Sequence, residues 1–165
     1  MFQSVSEEVI RKALAMYTAK DTRYLKEAQI SKSDDTIDLN ANFSIYDCCY
    51  SAPNSGHFNA VEAIICLNQM FYVTLLGGID KKMFSFYDDK VLDDFRQYWA
   101  KVYILEFEKI RFRKLIDSTS FYGKLNLKPL HRVGDKMYYD GCFGFGNNKE
   151  CKSFTGHVKG VIPIL

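Results

Sequence analysis

The residues best equipped for chemistry sit together in one stretch. It runs Ser55-Gly56-His57-Phe58-Asn59-Ala60-Val61-Glu62 and resumes at Cys66-Leu67-Asn68-Gln69. The stretch leads from a loop into a long apolar segment, so it sets polar side chains on or beside the element expected to be most buried. A buried polar group costs a few kcal/mol unless it is hydrogen-bonded, so Glu62, Asn68 and Gln69 call for partners or a polar cavity. On a helix, Glu62 and Gln69 share nearly one face, and Asn68 lies about a quarter turn away. At the helix start, Gly56 to Ala60 are expected to present backbone N–H groups. With the helix dipole, these could hold the oxygen of a polarised thioester carbonyl. Acyl chemistry needs such donors together with a group that moves a proton, and His57 and Glu62 are the candidates.

Each of these residues also has a plainer account. Asn59 and Glu62 have the spacing of a helix cap, Asn at the N-cap and Glu three residues on. His57 could be an ordinary loop residue satisfied by its neighbours. Asn68 and Gln69 could tie the helix to the sheet without touching a substrate. Cys66 reads as packing, because nothing basic lies near it in sequence to favour a thiolate. A serine hydrolase is not indicated, since G-x-S-x-G is absent, and the Gly141–Gly146 stretch falls in a predicted hairpin rather than at a helix start. Lys109, Arg111 and Arg113 alternate along a predicted strand. They could dock the phosphates of coenzyme A or of a carrier protein's phosphopantetheine arm, or simply form a solvated, edge-protecting face.

These residues must be positioned by the elements around them. Ser4 and Glu7 have capping-box spacing ahead of a helix to Tyr17, whose apolar stripe Val9, Ile10, Ala13, Leu14 and Tyr17 turns that tyrosine inward. A strand is predicted around Tyr24–Ile30 and a clearer one over Thr36–Tyr46, where Ile37, Leu39, Ala41, Phe43 and Ile45 alternate with polar residues. The central helix is expected from about Asn59 to Leu76, ended by Gly77 and Gly78. A shorter helix over Asp88–Trp99 follows, then strands over Val102–Phe112, Phe121–Lys128, Met137–Gly146 and Cys151–Ile162, with Asn147 and Asn148 at the last turn. The order predicts an α+β hotdog arrangement, a curved antiparallel sheet wrapped around one buried helix, as a single domain over residues 1–165. Ala60–Ile79 is apolar enough to raise the question of a membrane span. Glu62, Asn68 and Gln69 within it favour a helix buried in protein.

The 165 residues are 47% hydrophobic with a formal net charge of +2, which gives no reason to invoke nucleic acid or an anionic membrane. The five cysteines, Cys48, Cys49, Cys66, Cys142 and Cys151, are scattered and form no CxxC pair. Neither a zinc site nor a disulfide framework is expected, and no cofactor is called for. Ser and Glu in the first eight residues do not suit a secretory signal, so a cytoplasmic location is expected.

The GHFNAVE segment, Gly56 to Glu62, with Cys66-Leu67-Asn68-Gln69 after it, resembles the signature of the FcoT-type hotdog thioesterases. Tyr17, Arg23-Tyr24-Leu25 and Arg111-Phe112-Arg113-Lys114 are further matches, and the similarity runs from about Val9 to the C-terminus. The resemblance implies a dimer, or a hexamer of dimers, that acts on fatty acyl groups held as thioesters on coenzyme A or acyl carrier protein. It lacks the usual hotdog nucleophile and implies a site built on Tyr17, Tyr50, Asn59 and Asn68. It also implies a second activity, the addition of glycine to the β-carbon of a 2-enoyl acyl carrier protein on the way to isonitrile lipopeptides. Gly-His-Phe also begins the hotdog dehydratase signature. Glu62, only five residues after His57, departs from the dehydratase spacing.

The sequence therefore predicts an acyl-thioester enzyme. Tyr17, Tyr50, Asn59, Asn68, His57 and Glu62 would be catalytic, and Gly56, Gln69, Lys109, Arg111 and Arg113 would bind substrate. Either glycine or water could be the attacking group. A non-catalytic acyl-binding protein is the rival from another class.

Overall fold

Alternating apolar residues and a segment of almost unbroken hydrophobicity build one sheet with one helix laid across it. The computed structural model describes residues 1–48, 50, 56–84, 87, 95 and 100–164. In chain order the elements are β1 (Gln3–Ser4), α1 (Glu7–Ala13), α2 (Ala15–Thr18), β2 (Leu25–Ser33), β3 (Thr36–Phe43), α3 (Ala60–Asp80), β4 (Tyr103–Phe112), β5 (Phe121–Val133), β6 (Lys136–Gly146) and β7 (Phe154–Pro163). The strands form a seven-stranded sheet in the order β1-β2-β3-β5-β6-β7-β4, every neighbouring pair antiparallel. The predicted helix over Asp88–Trp99 falls largely outside the described residues.

Residues on one face of β3 (Ile37, Leu39, Ala41 and Phe43) are buried. In β5 the buried set is Phe121, Leu125 and Leu127, in register with them. These side chains meet α3, whose Cys66, Leu67, Met70, Val73 and Leu76 have no exposure. The helix has the length and hydropathy of a membrane span, yet most of it is buried inside this protein.

Several predicted boundaries move, and at the helices each shift has a physical reason. Ser6, not Ser4, caps α1 by accepting the Val9 N–H at 3.3 Å, because Ser4 is paired with Gln29 in the sheet. The helical stripe to Tyr17 is interrupted at Leu14, so Tyr17 lies on the separate short turn α2. Gly77 and Gly78 do not stop α3, which continues to Asp80. Their role is close packing: a Cβ on Gly77 would lie 3.2 Å from Val5, and one on Gly78 only 2.4 Å from the Phe84 ring. Backbone bonds from Lys81 N to Gly77 O and from Met83 N to Gly78 O then close the helix end.

Lys109, Arg111 and Arg113 do not form one strand face. The β4–β7 register shifts between Glu108 and Arg111, Lys109 takes a left-handed φ of 54°, and the strand ends at Phe112. A bulge of this kind inserts a residue and breaks the alternation.

The packing of Gly78 gives a stability test. Gly78→Ala should lower stability by about 1–3 kcal/mol through overpacking against Phe84. That loss outweighs the gain of about 1 kcal/mol in helix propensity. Urea denaturation measures the difference, and a raised midpoint would show that the ring moves aside freely.

Candidate active site

Phe58 seats the beginning of α3. It is 5% exposed, and its ring centroid lies 4.7 Å from Phe121, 5.0 Å from Phe145 and 6.1 Å from Phe154. Its backbone N–H donates to Ile116 O at 3.2 Å, and His57 bridges to Asp117 as an isolated antiparallel pair. Gly56 precedes them with φ +71°, a conformation glycine adopts without strain. The motif's aromatic residue thus anchors the loop in the core, leaving His57 exposed.

Asn59 then caps the helix. Its Oδ1 accepts from Val61 N at 2.9 Å and Glu62 N at 3.3 Å, and Glu62 Oε2 accepts the Asn59 backbone N–H at 2.9 Å. The capping pair read from the sequence is present in full. The same geometry narrows the expectation of free amides over Gly56 to Ala60, because the N–H groups of Phe58 and Asn59 are already engaged, as are those of Val61 and Glu62 just beyond.

The cap leads directly to Tyr50. With Oδ1 committed to the helix, the Asn59 side-chain amide donates to the Tyr50 hydroxyl in a very short contact. Glu62 is fully buried, and its second oxygen, Oε1, has no hydrogen-bond partner. Burial pushes the Tyr50 phenol up to about 12, with the Glu62 carboxylate adding to the rise and the Asn59 bond opposing it. Tyr50 therefore stays a neutral donor, and at 43% exposure it can be reached from outside.

One turn along α3, the Cys66 thiol is held well above its ordinary value, first by complete burial and then by Glu62. A neutral, enclosed thiol is packing, not a nucleophile. Tyr17 lies next to it. Its ring centroid is 6.3 Å from Tyr72, and its phenol is raised by burial, with Tyr72 and Cys66 adding to the effect. Asn68 is half-buried on the same helix, on the side that carries Val61 and Ile65. Tyr50, Asn59 and Glu62 thus interact with one another, while Tyr17 lies beside Cys66, one helical turn further on.

Gln69 does something else. Its Oε1 accepts from Tyr24 N at 3.0 Å and Leu25 N at 2.9 Å, and its Nε2 donates to Thr22 O at 2.7 Å. A fully buried side chain committed to three backbone groups clamps α3 to the start of β2 and is not placed to bind substrate. The neighbouring Arg23 forms a two-pronged pair with Glu7, 2.8 Å on each side, which fastens α1 to the same corner. Among the described residues, no group of three or more His, Cys, Asp or Glu side chains could hold a metal ion.

An antiparallel sheet around one central helix, with a polar cluster at that helix's N-terminus, defines a hotdog protein of the α+β class. The chain belongs to the FcoT-like thioesterase family, whose model matches residues 12–158. It is 30% identical over 129 residues to a (2E)-enoyl-ACP glycyltransferase of Mycobacterium tuberculosis, covering 78% of this chain and 70% of the relative. It is 23% identical over 128 residues to a protein of the same name from Streptomyces coeruleorubidus, covering 78% and 77%. Among solved structures it is similar to a hypothetical thioesterase protein with coenzyme A from Streptococcus pneumoniae TIGR4. That match has a TM-score of 0.47 at 10% identity and covers 91% of this chain and 95% of the other.

The site yields two predictions. Gln69→Ala orphans two buried N–H groups and a carbonyl, and should cost about 3 kcal/mol or more in chemical denaturation; a loss below 1 kcal/mol would mean that water replaces the clamp. Tyr17 has a folded-state pKa above its unfolded value of 10.0, so its contribution to stability is complete below that pH and falls as pH rises past it. Melting temperatures measured between about pH 9 and 11 should decline less steeply for Tyr17→Phe than for the wild type. Parallel slopes would place Tyr17 in water.

Proposed function

We propose that this chain adds the amine of glycine to the β-carbon of a fatty 2-enoyl thioester carried on acyl carrier protein. The observation that carries the reading is the buried Glu62 carboxylate, with one oxygen unpartnered, beside a neutral Tyr50 held by Asn59. The glycyltransferase relatives support the substrate class.

In the reaction, the glycine nitrogen forms a bond to the β-carbon, and the displaced π electrons move onto the thioester oxygen. The resulting enolate is protonated at the α-carbon as the nitrogen loses a proton. Such a site needs hydrogen-bond donors at the oxygen and one group to manage the proton. Tyr50, Tyr17 and Asn68 are the donors in this reading, and Glu62, with His57 at the entrance, manages the proton. The acyl chain follows the side of α3 where Val61 and Ile64, 48% and 41% exposed, leave apolar surface uncovered.

The reading extends to the assembly and its setting. The edge strand β4 exposes Tyr103, Leu105, Ile110 and Phe112, an apolar edge suited to pairing with a second copy. Lys109, Arg111 and Arg113, all exposed around the β4 bulge, would meet the phosphate of the carrier arm or of coenzyme A. The four cysteines among the described residues are free, which fits a cytoplasmic, reducing setting, and an isonitrile lipopeptide route would use the product. Hydrolysis of a long-chain acyl thioester is the second reading, favoured by the thioesterase description of the family.

Intact mass spectrometry of a 2-enoyl acyl carrier protein, incubated with the enzyme with and without glycine, separates these readings. The expected result is a carrier heavier by one glycine, with turnover abolished in a folded Asn68→Ala variant. Loss of the acyl group without glycine would make the protein a thioesterase, and an unchanged thioester would leave an acyl-binding protein.

A further inference from the structure

We infer that Asn59 is a positioning residue that acts through Tyr50, and that the Tyr50 hydroxyl so held donates to the thioester oxygen. The inference deepens the function proposed above and rests on that reading. Its physical basis is a count of donors and acceptors. The Asn59 carboxamide has one oxygen, and the helix start takes it with two N–H groups, Val61 and Glu62. The amide nitrogen is thereby turned outward, where it meets the Tyr50 hydroxyl and can only donate. A hydroxyl that accepts at its oxygen keeps a single proton to give elsewhere.

Two acceptors compete for that proton. One is the fully buried Glu62 carboxyl, which lies within hydrogen-bonding reach of the phenol. Another side of the phenol is open, since Tyr50 is 43% exposed. A carbonyl oxygen arriving from that side meets a donor whose oxygen is already fixed in place. Several backbone N–H groups at the helix start are committed: Phe58 N is bonded to Ile116 O, and Asn59, Val61 and Glu62 N are held within the capping box. Burial first, and Glu62 after it, hold the phenol above its ordinary value, which preserves Tyr50 as a donor.

Capping and positioning can be separated experimentally, because Ser and Asp cap helices about as well as Asn, while neither has an N–H to offer Tyr50. Asn59→Ser, Asn59→Asp, Tyr50→Phe and the two double variants are compared for melting temperature and for steady-state glycine addition to a 2-enoyl acyl carrier protein. Tyr50→Phe should lower kcat on the order of 10²–10³-fold with little change in KM, as expected for loss of one oxyanion donor. Both Asn59 variants should melt with the wild type yet lose at least about tenfold in kcat, and pairing either with Tyr50→Phe should cost nothing further. Asn59→Ser at wild-type kcat, or losses that multiply in the double variants, would overturn the inference. If the wild type turns over no enoyl thioester, the function proposed above fails, and the Asn59–Tyr50 link is still read from the ¹³Cζ resonance of labelled Tyr50. That resonance should shift in Asn59→Ser, and an unchanged position would refute the link.

Discussion

Burying a 21-residue helix against a single curved sheet leaves its polar side chains without water, and Gln69 is where that demand is met most fully. The side chain replaces solvent for three backbone groups at the point where the chain leaves α2 and enters β2. Without it, two N–H groups and a carbonyl would be stranded in the core, at a cost that apolar packing there could not offset. Arg23, one residue before the clamped pair, ties α1 to the same corner through Glu7. Gln69 therefore joins α3 to the stretch that opens β2, and Arg23 joins α1 to that same stretch.

The opposite end of α3 obeys the same rule with a different outcome. The helix start needs acceptors for its first N–H groups, and Asn59 with Glu62 supplies them. Satisfying the cap uses one atom of the Asn59 carboxamide and leaves the other pointing at Tyr50. A local structural requirement thus fixes the orientation of a side chain in the candidate site. Glu62 has the same double character: one oxygen closes the capping box, and the other remains buried and unpaired beside the phenol. Carrying an unsatisfied carboxylate oxygen is costly for stability, and such costs are concentrated at sites that do chemistry.

Much of the fold is legible in the sequence because it follows from periodicity. The alternation from Ile37 to Phe43 gives β3, and the apolar run after Asn59 gives α3. The capping pair is legible because it is local, four residues read in order. Features that depend on distant contacts are not. Gly77 and Gly78 have the composition of a helix stop, yet their role is to let Val5 and Phe84 approach the helix. The basic row at Lys109, Arg111 and Arg113 is a strand pattern until the β4–β7 register inserts a bulge. Gln69 resembles a site residue by its neighbours and is assigned to the clamp only when Thr22, Tyr24 and Leu25 are seen beside it.

The sequence by itself determined the α+β class, the central helix with its Asn59–Glu62 cap, and the family to which the GHFNAVE segment points. Those properties are carried by side-chain types at short, fixed spacings, which act before the chain is folded. The tertiary structure alone decided which polar residues face one another. Tyr50 comes to Asn59 from nine residues earlier in the chain, Tyr17 comes to Cys66 from another element, and Gln69 is drawn away to the backbone of β2. The reason is that a buried donor or acceptor takes whichever partner the packing brings within about 3 Å, and sequence spacing does not specify that partner.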